Sequence, residues 1–172
     1  MWLSCFFGCE YEAHLTEDHN IRIHSYLLGL WEIVPDDGNL KKERMMILKF
    51  SDTEYIIHYP IEGNAIYSRD YPVKIGGVSC VQLQAIGTNE STPDVGKKNL
   101  CHIGSYRLEN VELAIRLLNE KLVDYDLKTS AALTQSFLGN KKLLVNPGKF
   151  QRVKKSPALP ALGQSQPYFS TN

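Results

Sequence analysis

Four tyrosines and one arginine recur in mid-chain, within two apolar runs that alternate in the manner of β-strands. Phenol rings combined with a guanidinium suit an amphipathic pocket, because the rings contact the body of a ligand while the polar groups orient it. The sequence therefore predicts a ligand-binding site composed of Tyr55, Tyr59, Tyr67, Arg69 and Tyr71.

This site depends on the turn between the two runs. If Glu62-Gly63-Asn64 is that turn, Tyr59 lies opposite Tyr67 and Arg69 lies opposite Ile57, so the five residues share one face of the sheet. His58 and Asp70 then point to the other face. A face of this kind lines a pocket if it points inward. If it points outward, it stabilises the sheet through cross-strand pairs or binds a protein.

Two cysteines on consecutive predicted strands are candidates for a disulfide or a nucleophile. If Ile86 pairs with Leu100 across the intervening loop, Ala85 faces Cys101, and Cys80 and Cys101 fall on opposite faces of the sheet. The sequence thus predicts two buried, unbridged thiols. A nucleophilic thiol also needs a nearby base, and no strand histidine is locally oriented for that role.

Three histidines, His14, His19 and His24, recur at every fifth residue. That spacing matches neither a helix face nor a strand face, so they do not converge as metal ligands, and we expect them to be solvated. The acidic pairs Asp36-Asp37 and Asp124-x-Asp126 are typical of a turn and a helix start. The sequence predicts no catalytic residue, no metal site and no cofactor.

The composition is that of an ordinary folded protein. A chain of 172 residues fits one domain plus tails, and 19 basic residues balance 19 acidic ones. Phosphate binding needs an excess of lysine and arginine on one face, so nucleic acid is not an expected partner. No apolar run reaches about 18 residues, the length that a membrane-spanning helix needs.

Short apolar and alternating runs, separated by turn residues, predict the elements that position these side chains. They indicate an antiparallel meander that closes into a barrel of about eight strands. Gly76-Gly77 is interpreted as a bend or bulge that curves the sheet. The predicted strands are residues 30–34, 45–50, 54–61, 65–75, 78–86, 100–108, 111–118 and 149–153, with a shorter run at 143–145.

One amphipathic helix is predicted before the last strand. Apolar residues recur at three- and four-residue spacing over residues 126–138, Asp124 or Asp126 can cap the start, and Gly139-Asn140 can cap the end. We expect it to lie across the sheet or the barrel mouth. The proline-containing residues 154–172 are predicted to be a disordered tail.

Gly29-Leu30-Trp31 at the start of the first long strand resembles the opening Gly-x-Trp motif of lipocalins and the related calycins. In those barrels the tryptophan plugs the closed end beneath an arginine of the last strand. The resemblance implies that Gly29, Trp31 and Arg152 form such a closure here, with the guanidinium stacked on the indole.

The amino-terminal residues 1–9 are apolar and aromatic, and they precede a polar linker at residues 10–26. Phe6-Phe7-Gly8-Cys9 is similar to a bacterial lipobox, in which the cysteine becomes the lipid-modified amino terminus of the mature protein. The similarity implies a truncated lipoprotein signal, with Cys9 as the lipid anchor.

The barrel segment as a whole, residues 27–153, resembles a family of uncharacterised bacterial putative lipoproteins with a lipocalin-like barrel. The resemblance is carried by residues 28–32, 47–59, 71–80 and 146–152. It implies a lipid-anchored protein of the cell envelope, facing the periplasm, that binds a small amphipathic or lipid-like ligand or an envelope partner.

Two other functions remain open from the sequence. One is a hydrolase or isomerase that works in the barrel mouth, with tyrosine, His58 and Arg69 as acid–base and anion-holding groups. The other is a cytoplasmic structural or interaction domain whose barrel is filled by its own side chains.

Overall fold

The structure is a computed structural model of the chain, and it describes residues 14–16, 18–35, 43–61, 64–92, 101–117, 127, 129–139 and 148–153. Eight antiparallel strands form a closed barrel in sequence order. One helix, α1 (Ser130–Gly139), precedes the last strand, as the sequence predicts. The strands are β1 (Gly29–Ile33), β2 (Arg44–Lys49), β3 (Tyr55–Ile61), β4 (Asn64–Ile75), β5 (Val78–Thr88), β6 (Cys101–Glu109), β7 (Glu112–Leu117) and β8 (Gly148–Arg152).

The barrel closes where its first and last strands meet. Strand β1 pairs with β8, and Trp31 lies directly opposite Arg152. All eight strands begin and end within two residues of their predicted positions. The meander and its closure into a barrel are therefore confirmed.

The turn between β4 and β5 differs from the prediction. Gly76 and Gly77 have φ angles of 54° and 82°, and Ile75 pairs with Val78 on either side of them. Glycine has no side chain, so it adopts a positive φ angle without steric cost. A tight two-residue hairpin requires a positive φ angle at both of its residues, which two successive glycines supply. The two glycines thus form a hairpin turn and not a bend within one strand.

The pairing of β3 with β4 also differs, by one residue. Ile61 pairs with Asn64, so the hairpin encloses two residues and not the three that the sequence analysis assumed. Tyr67 consequently lies opposite His58, and Arg69 lies opposite Ile56. Side chains alternate between the two faces along a strand. A shift of one residue in the pairing therefore moves every side chain of β4 to the other face relative to the side chains of β3.

Helix α1 packs on the outside of the barrel. Leu133 is fully buried against Cys101 and Ile103 of β6, and Phe137 packs against a second buried cluster of β4 and β5. The helix begins at Ser130 rather than residue 126, because Thr129 caps it: the Ala132 N–H donates to Thr129 Oγ1 at 3.2 Å. The predicted acidic caps, Asp124 and Asp126, lie outside the described residues.

The segment before the barrel is held against the same outer wall. Gln82 clamps it through its side-chain amide, which accepts the Leu15 N–H at 2.6 Å and donates to the Thr16 carbonyl at 3.5 Å. A short 3₁₀ turn (Ser25–Leu27) then leads into β1. Two of the three histidines expected to be solvated are instead packed: His19 stacks on Tyr71 and His24 on Tyr26.

Cys80 and Cys101 both lie on the outer wall, beneath the helix and the amino-terminal segment. They are fully buried and not disulfide-bonded, as predicted. The geometric reason given for this is wrong, however, since Cys80 pairs with Ser105 and Cys101 with Gln84, which places both thiols on one face, four residues apart along β6. Burial raises the pKa of each thiol to about 12, which keeps both protonated and unreactive.

No helix within the described residues is long and apolar enough to cross a membrane. The predictions for Cys9, for Asp36-Asp37, for residues 143–145 and for the tail at 154–172 lie outside the part of the chain that the structure describes.

Candidate functional site

One end of the barrel, here termed the closed end, is sealed by the predicted contact. The Arg152 guanidinium lies 4.8 Å from the centroid of the Trp31 ring. Its Nη1 donates to the Leu28 carbonyl at 3.0 Å, and its Nη2 donates to the Tyr26 carbonyl. Gly29 has a φ of +134°, and a Cβ there would lie 3.4 Å from Arg152 Nη1. Gly29, Trp31 and Arg152 are therefore in contact, with the guanidinium stacked on the indole.

The interior next to this closure is filled with large side chains. Trp31 is 1% exposed, and its indole Nε1–H donates to the Leu27 carbonyl at 2.8 Å. We term this group the closed half; its buried members on β1, β2, β3, β7 and β8 are Trp31, Met45, Ile47, Tyr55, Tyr59, Leu113 and Phe150. Close packing of this kind leaves little room for a ligand on that side.

The five residues predicted to bind a ligand do not share a face. Tyr55 and Tyr59 point into the barrel, where they belong to the buried interior cluster. Both hydroxyls are already engaged: Tyr55 accepts the His24 N–H at 2.7 Å, and Tyr59 donates to Glu43 Oε2 at 2.6 Å. Burial, followed by the Glu43 hydrogen bond, raises the pKa of Tyr59. These two phenols support the barrel interior.

Arg69 and Tyr71 lie on the outer surface, around a buried carboxylate. Arg69 holds Glu54 through two hydrogen bonds of 2.7 and 3.2 Å, and His19 Nδ1 lies 2.9 Å from Glu54 Oε1. Burial pushes the Glu54 pKa up, but the hydrogen bonds from Arg69 and His19 outweigh this, and the pKa lies below its usual range. Tyr71 donates to Gln84 Oε1 at 2.7 Å.

Tyr67 is the remaining member of the predicted set. It is on the same outer face, where its hydroxyl donates to Asn89 Oδ1 at 3.1 Å. The register error therefore divides the predicted site into two interior tyrosines and three outer-surface residues. Whether any of the five contacts a ligand stays a prediction.

The same register brings Asp70 into the barrel. Asp70 is 0% exposed, and its Oδ2 accepts a hydrogen bond of 3.1 Å from the Ser68 hydroxyl. Its Oδ1 is buried and has no hydrogen-bond partner. Burial raises the pKa of the Asp70 carboxyl well above its ordinary value, although the Ser68 hydrogen bond acts in the opposite direction.

The wall that carries Asp70 is lined by smaller and more polar side chains than the closed half. We term the inward-facing residues of β4, β5 and β6 the open wall; they include Ser68, Asp70, Leu83, Ala85 and His102. Leu83, Ala85 and His102 point inward and yet are only partly buried. Solvent therefore reaches these three side chains, whereas Ser68 and Asp70 on the same wall are buried.

Asp70 occupies a position between the two ends of the barrel. The paired residues Tyr55, Asp70, Leu83 and His102 form one row across β3 to β6. Tyr55 begins β3 at the closed end, whereas His102 is the second residue of β6, which begins at the opposite end. Because barrel strands are tilted, the row rises from one end to the other. Asp70 and His102 are separated by two strand spacings, about 10 Å.

Asp70 is not among the predicted site residues, because a three-residue turn would place it on the face opposite the tyrosines. A two-residue turn at Glu62-Gly63 was the available signal, and it would have placed Ser68 and Asp70 on the same face as Tyr55 and Tyr59. Within the described residues, no cluster of histidine, cysteine, aspartate or glutamate side chains is arranged to hold a metal ion.

The chain was also compared with known proteins. No family model, no curated protein and no solved structure matches it. The argument for a function therefore comes from the barrel itself.

Proposed function

We propose that this protein is a binding protein that holds a small amphipathic molecule inside its barrel, between the closed half and the open wall. The observation that carries the proposal is the open wall, where small or polar side chains lie beside the partly exposed Leu83 and His102. Apolar lining with one polar anchor is the usual composition of such a chamber, and Asp70 supplies the anchor.

The chemistry of the interior favours binding over catalysis. An acid–base mechanism needs two titratable groups within hydrogen-bonding distance of one another or of a substrate. The partner of Asp70 is the Ser68 hydroxyl, and Tyr55 and Tyr59 already use their hydroxyls in contacts with the protein. The outer carboxylate, Glu54, is held by Arg69 and His19 beneath the amino-terminal segment.

The location is proposed on the basis of the sequence. Phe6-Phe7-Gly8-Cys9 supports a lipid anchor at Cys9, which would hold the barrel at the periplasmic side of a bacterial envelope membrane. The test is the intact mass of the protein purified from its own host membranes. Processing predicts a protein that begins at Cys9 and is heavier, by its acyl groups, than residues 9–172 alone, and Cys9→Ala should abolish both changes; an unprocessed, unmodified amino terminus in the wild-type protein would contradict this location.

The chamber is tested by blocking it from within. Ala85→Phe places a large ring on the open wall, whereas Ile86→Phe, at the next residue, leaves the ring on the exposed outer side of β5. We expect 1-anilinonaphthalene-8-sulfonate to bind the wild type and Ile86→Phe with equal affinity, and Ala85→Phe at least about tenfold more weakly, the equivalent of 1.4 kcal/mol. Equal binding by all three proteins would show that the dye is held outside, and would favour a barrel filled by its own side chains.

A further inference from the structure

We propose that the occupant of the chamber carries a protonated amine, and that its ammonium group is held by the Asp70 carboxylate. This inference rests on the proposed binding function and adds the chemical class of the ligand. It follows from the placement of a lone, incompletely bonded acid among apolar and aromatic side chains.

The geometry leaves one side of the carboxyl group unused. Each carboxylate oxygen can accept two hydrogen bonds, and Asp70 receives only the one from Ser68, at Oδ2. Oδ1 is buried and unpartnered. None of the ion pairs among the described residues includes Asp70, so its charge is not matched by a basic side chain there. An ammonium group has three donors and the opposite charge, and it would supply what the site lacks.

A carboxyl group at this position indicates a charged ligand, because an uncharged polar group would be sufficient to hold a neutral one. A ligand carbonyl or hydroxyl can be held by a serine or tyrosine, whose burial costs far less than that of a carboxyl group that must ionise. Only a cation recovers the cost of burying a negative charge. Aromatic rings favour the same occupant, since Tyr55 and Tyr106 belong to the interior cluster and ring faces attract cations.

Of the titratable groups in this row, Asp70 is the one placed to bind a cation. Tyr55 faces it from β3, and its pKa is raised by burial, so it stays neutral. On β5 its neighbour is the apolar Leu83, and His102 lies beyond on β6. Lys49 ends the same row on β2, where it is half-exposed and bonded to Asp52.

Binding is then coupled to release of a proton. Burial raises the pKa of the Asp70 carboxyl, so the empty chamber favours its protonated form. When an ammonium ion enters, the carboxyl proton leaves to solvent, and a carboxylate paired with the ammonium remains. Leu83 pairs with Asp70 on the same inward face and is partly buried, so an entering ammonium group would pass this side chain to reach the carboxyl.

The experiment compares three probes of equal length, n-decylamine, 1-decanol and decanoate, by isothermal titration calorimetry below their micellar concentrations. We expect the wild type to bind decylamine at least about tenfold more tightly than decanol. Asp70→Asn keeps the shape of the side chain but cannot pair with a cation, so it should remove this preference while decanol binding changes by less than about threefold.

The outcomes separate the two proposals. If decanol or decanoate binds as tightly as decylamine, or if Asp70→Asn retains the amine preference, the amine assignment is wrong while the chamber stands. If none of the probes binds to the wild type, or Ala85→Phe binds all three unchanged, the chamber itself is wrong.

A pH series gives an independent readout. While Asp70 is protonated in the free protein, the affinity for decylamine should rise about tenfold per pH unit and then level off above the Asp70 pKa, whereas decanol affinity should stay flat over the rising limb. His102→Gln removes the other titratable group of the open wall and should leave this profile in place. A flat amine profile, or a profile that disappears in His102→Gln, overturns the role given to Asp70.

Discussion

The two sides of the barrel interior are built from side chains of different size. The closed half contains two aromatic residues, Trp31 on β1 and Phe150 on β8, where these two strands pair. Both are almost completely buried. The open wall carries Ser68, Asp70 and Ala85, which are small or polar. Bulky apolar side chains stabilise the fold by excluding water, whereas small ones leave space beside a polar group that the fold does not satisfy. The part of the interior that holds the barrel together thus differs in side-chain size and polarity from the wall that carries Asp70.

The largest difference is expected between two leucines that are mutated in the same way. Leu113→Ala removes a side chain that is 1% exposed and packed in the closed half, and we expect it to cost about 3–5 kcal/mol in the free energy of unfolding. Leu83→Ala, on the open wall, removes a side chain that already borders space, and we expect about 1–2 kcal/mol. Urea denaturation measures both, and equal costs would show that the open wall is as tightly packed as the closed half.

The closure itself is tested with Arg152→Met. The variant keeps the aliphatic stem but loses the cation over Trp31 and the bonds to the Leu28 and Tyr26 carbonyls, so we expect a loss of about 2 kcal/mol. Arg152→Lys should recover less than half of it, because an ammonium lacks the planar fork. Trp31 fluorescence, recorded in a Trp2→Phe background, reports whether the indole becomes exposed. If neither the fluorescence spectrum nor the stability changes, the contact of Arg152 with Trp31 does not close the barrel.

Asp70→Asn is expected to act in the opposite direction and stabilise the protein. The folded-state pKa of Asp70 is raised, so the unfolded chain releases its proton first as pH rises, and the stability of the wild type falls from about pH 4, the ordinary aspartate pKa, up to the folded-state pKa. We expect Asp70→Asn to gain about 1–2 kcal/mol at neutral pH and to lose this gain near pH 4. Asp52→Asn, at an exposed acid, is the control. A destabilised Asp70→Asn protein would mean that the carboxylate is satisfied inside the barrel.

The smallest effects on stability are expected for the tyrosines of the predicted ligand-binding site, which the observed register divides between the interior and the outer face. Tyr59→Phe removes the hydroxyl that bonds to Glu43 from a buried side chain, and we expect a loss of about 1 kcal/mol. Tyr67→Phe removes a solvent-accessible bond to Asn89 and should stay within about 0.5 kcal/mol of the wild type. Thermal unfolding of the two variants side by side measures the difference, and the reverse ranking would contradict the observed register.

The architecture could be predicted because it depends on patterns that tolerate small errors. Turn residues and alternating runs mark each strand to within two residues, and Trp31 and Arg152 stand at the first and last strands, where a closed barrel brings them together. The buried, unbridged state of Cys80 and Cys101 is also predicted, although from a register that differs from the observed one.

The candidate site could not be predicted because it depends on register. A hairpin that encloses residues 62–63, rather than three residues, exchanges the faces of β4 relative to β3, and the error removes Asp70 from the interior and places Arg69 there. The same one-residue sensitivity affects the pairing of β5 with β6, where it places Cys80 and Cys101 on one face and not on opposite faces. The start of the helix at Ser130 has a local cause, since the Thr129 hydroxyl accepts a hydrogen bond from the Ala132 N–H and caps it.

The pairing of β1 with β8 has a consequence for how the protein is made. Trp31 and Arg152 are neighbours in the barrel but lie at opposite ends of the strand order, so a growing chain exposes its indole on the ribosome until the last strand has been synthesised. Contacts of such long sequence separation form slowly, because the intervening loop must first be closed. The nascent polypeptide thus spends nearly all of its synthesis as an unsealed sheet with two bare edges, a state in which chaperone capture would matter most.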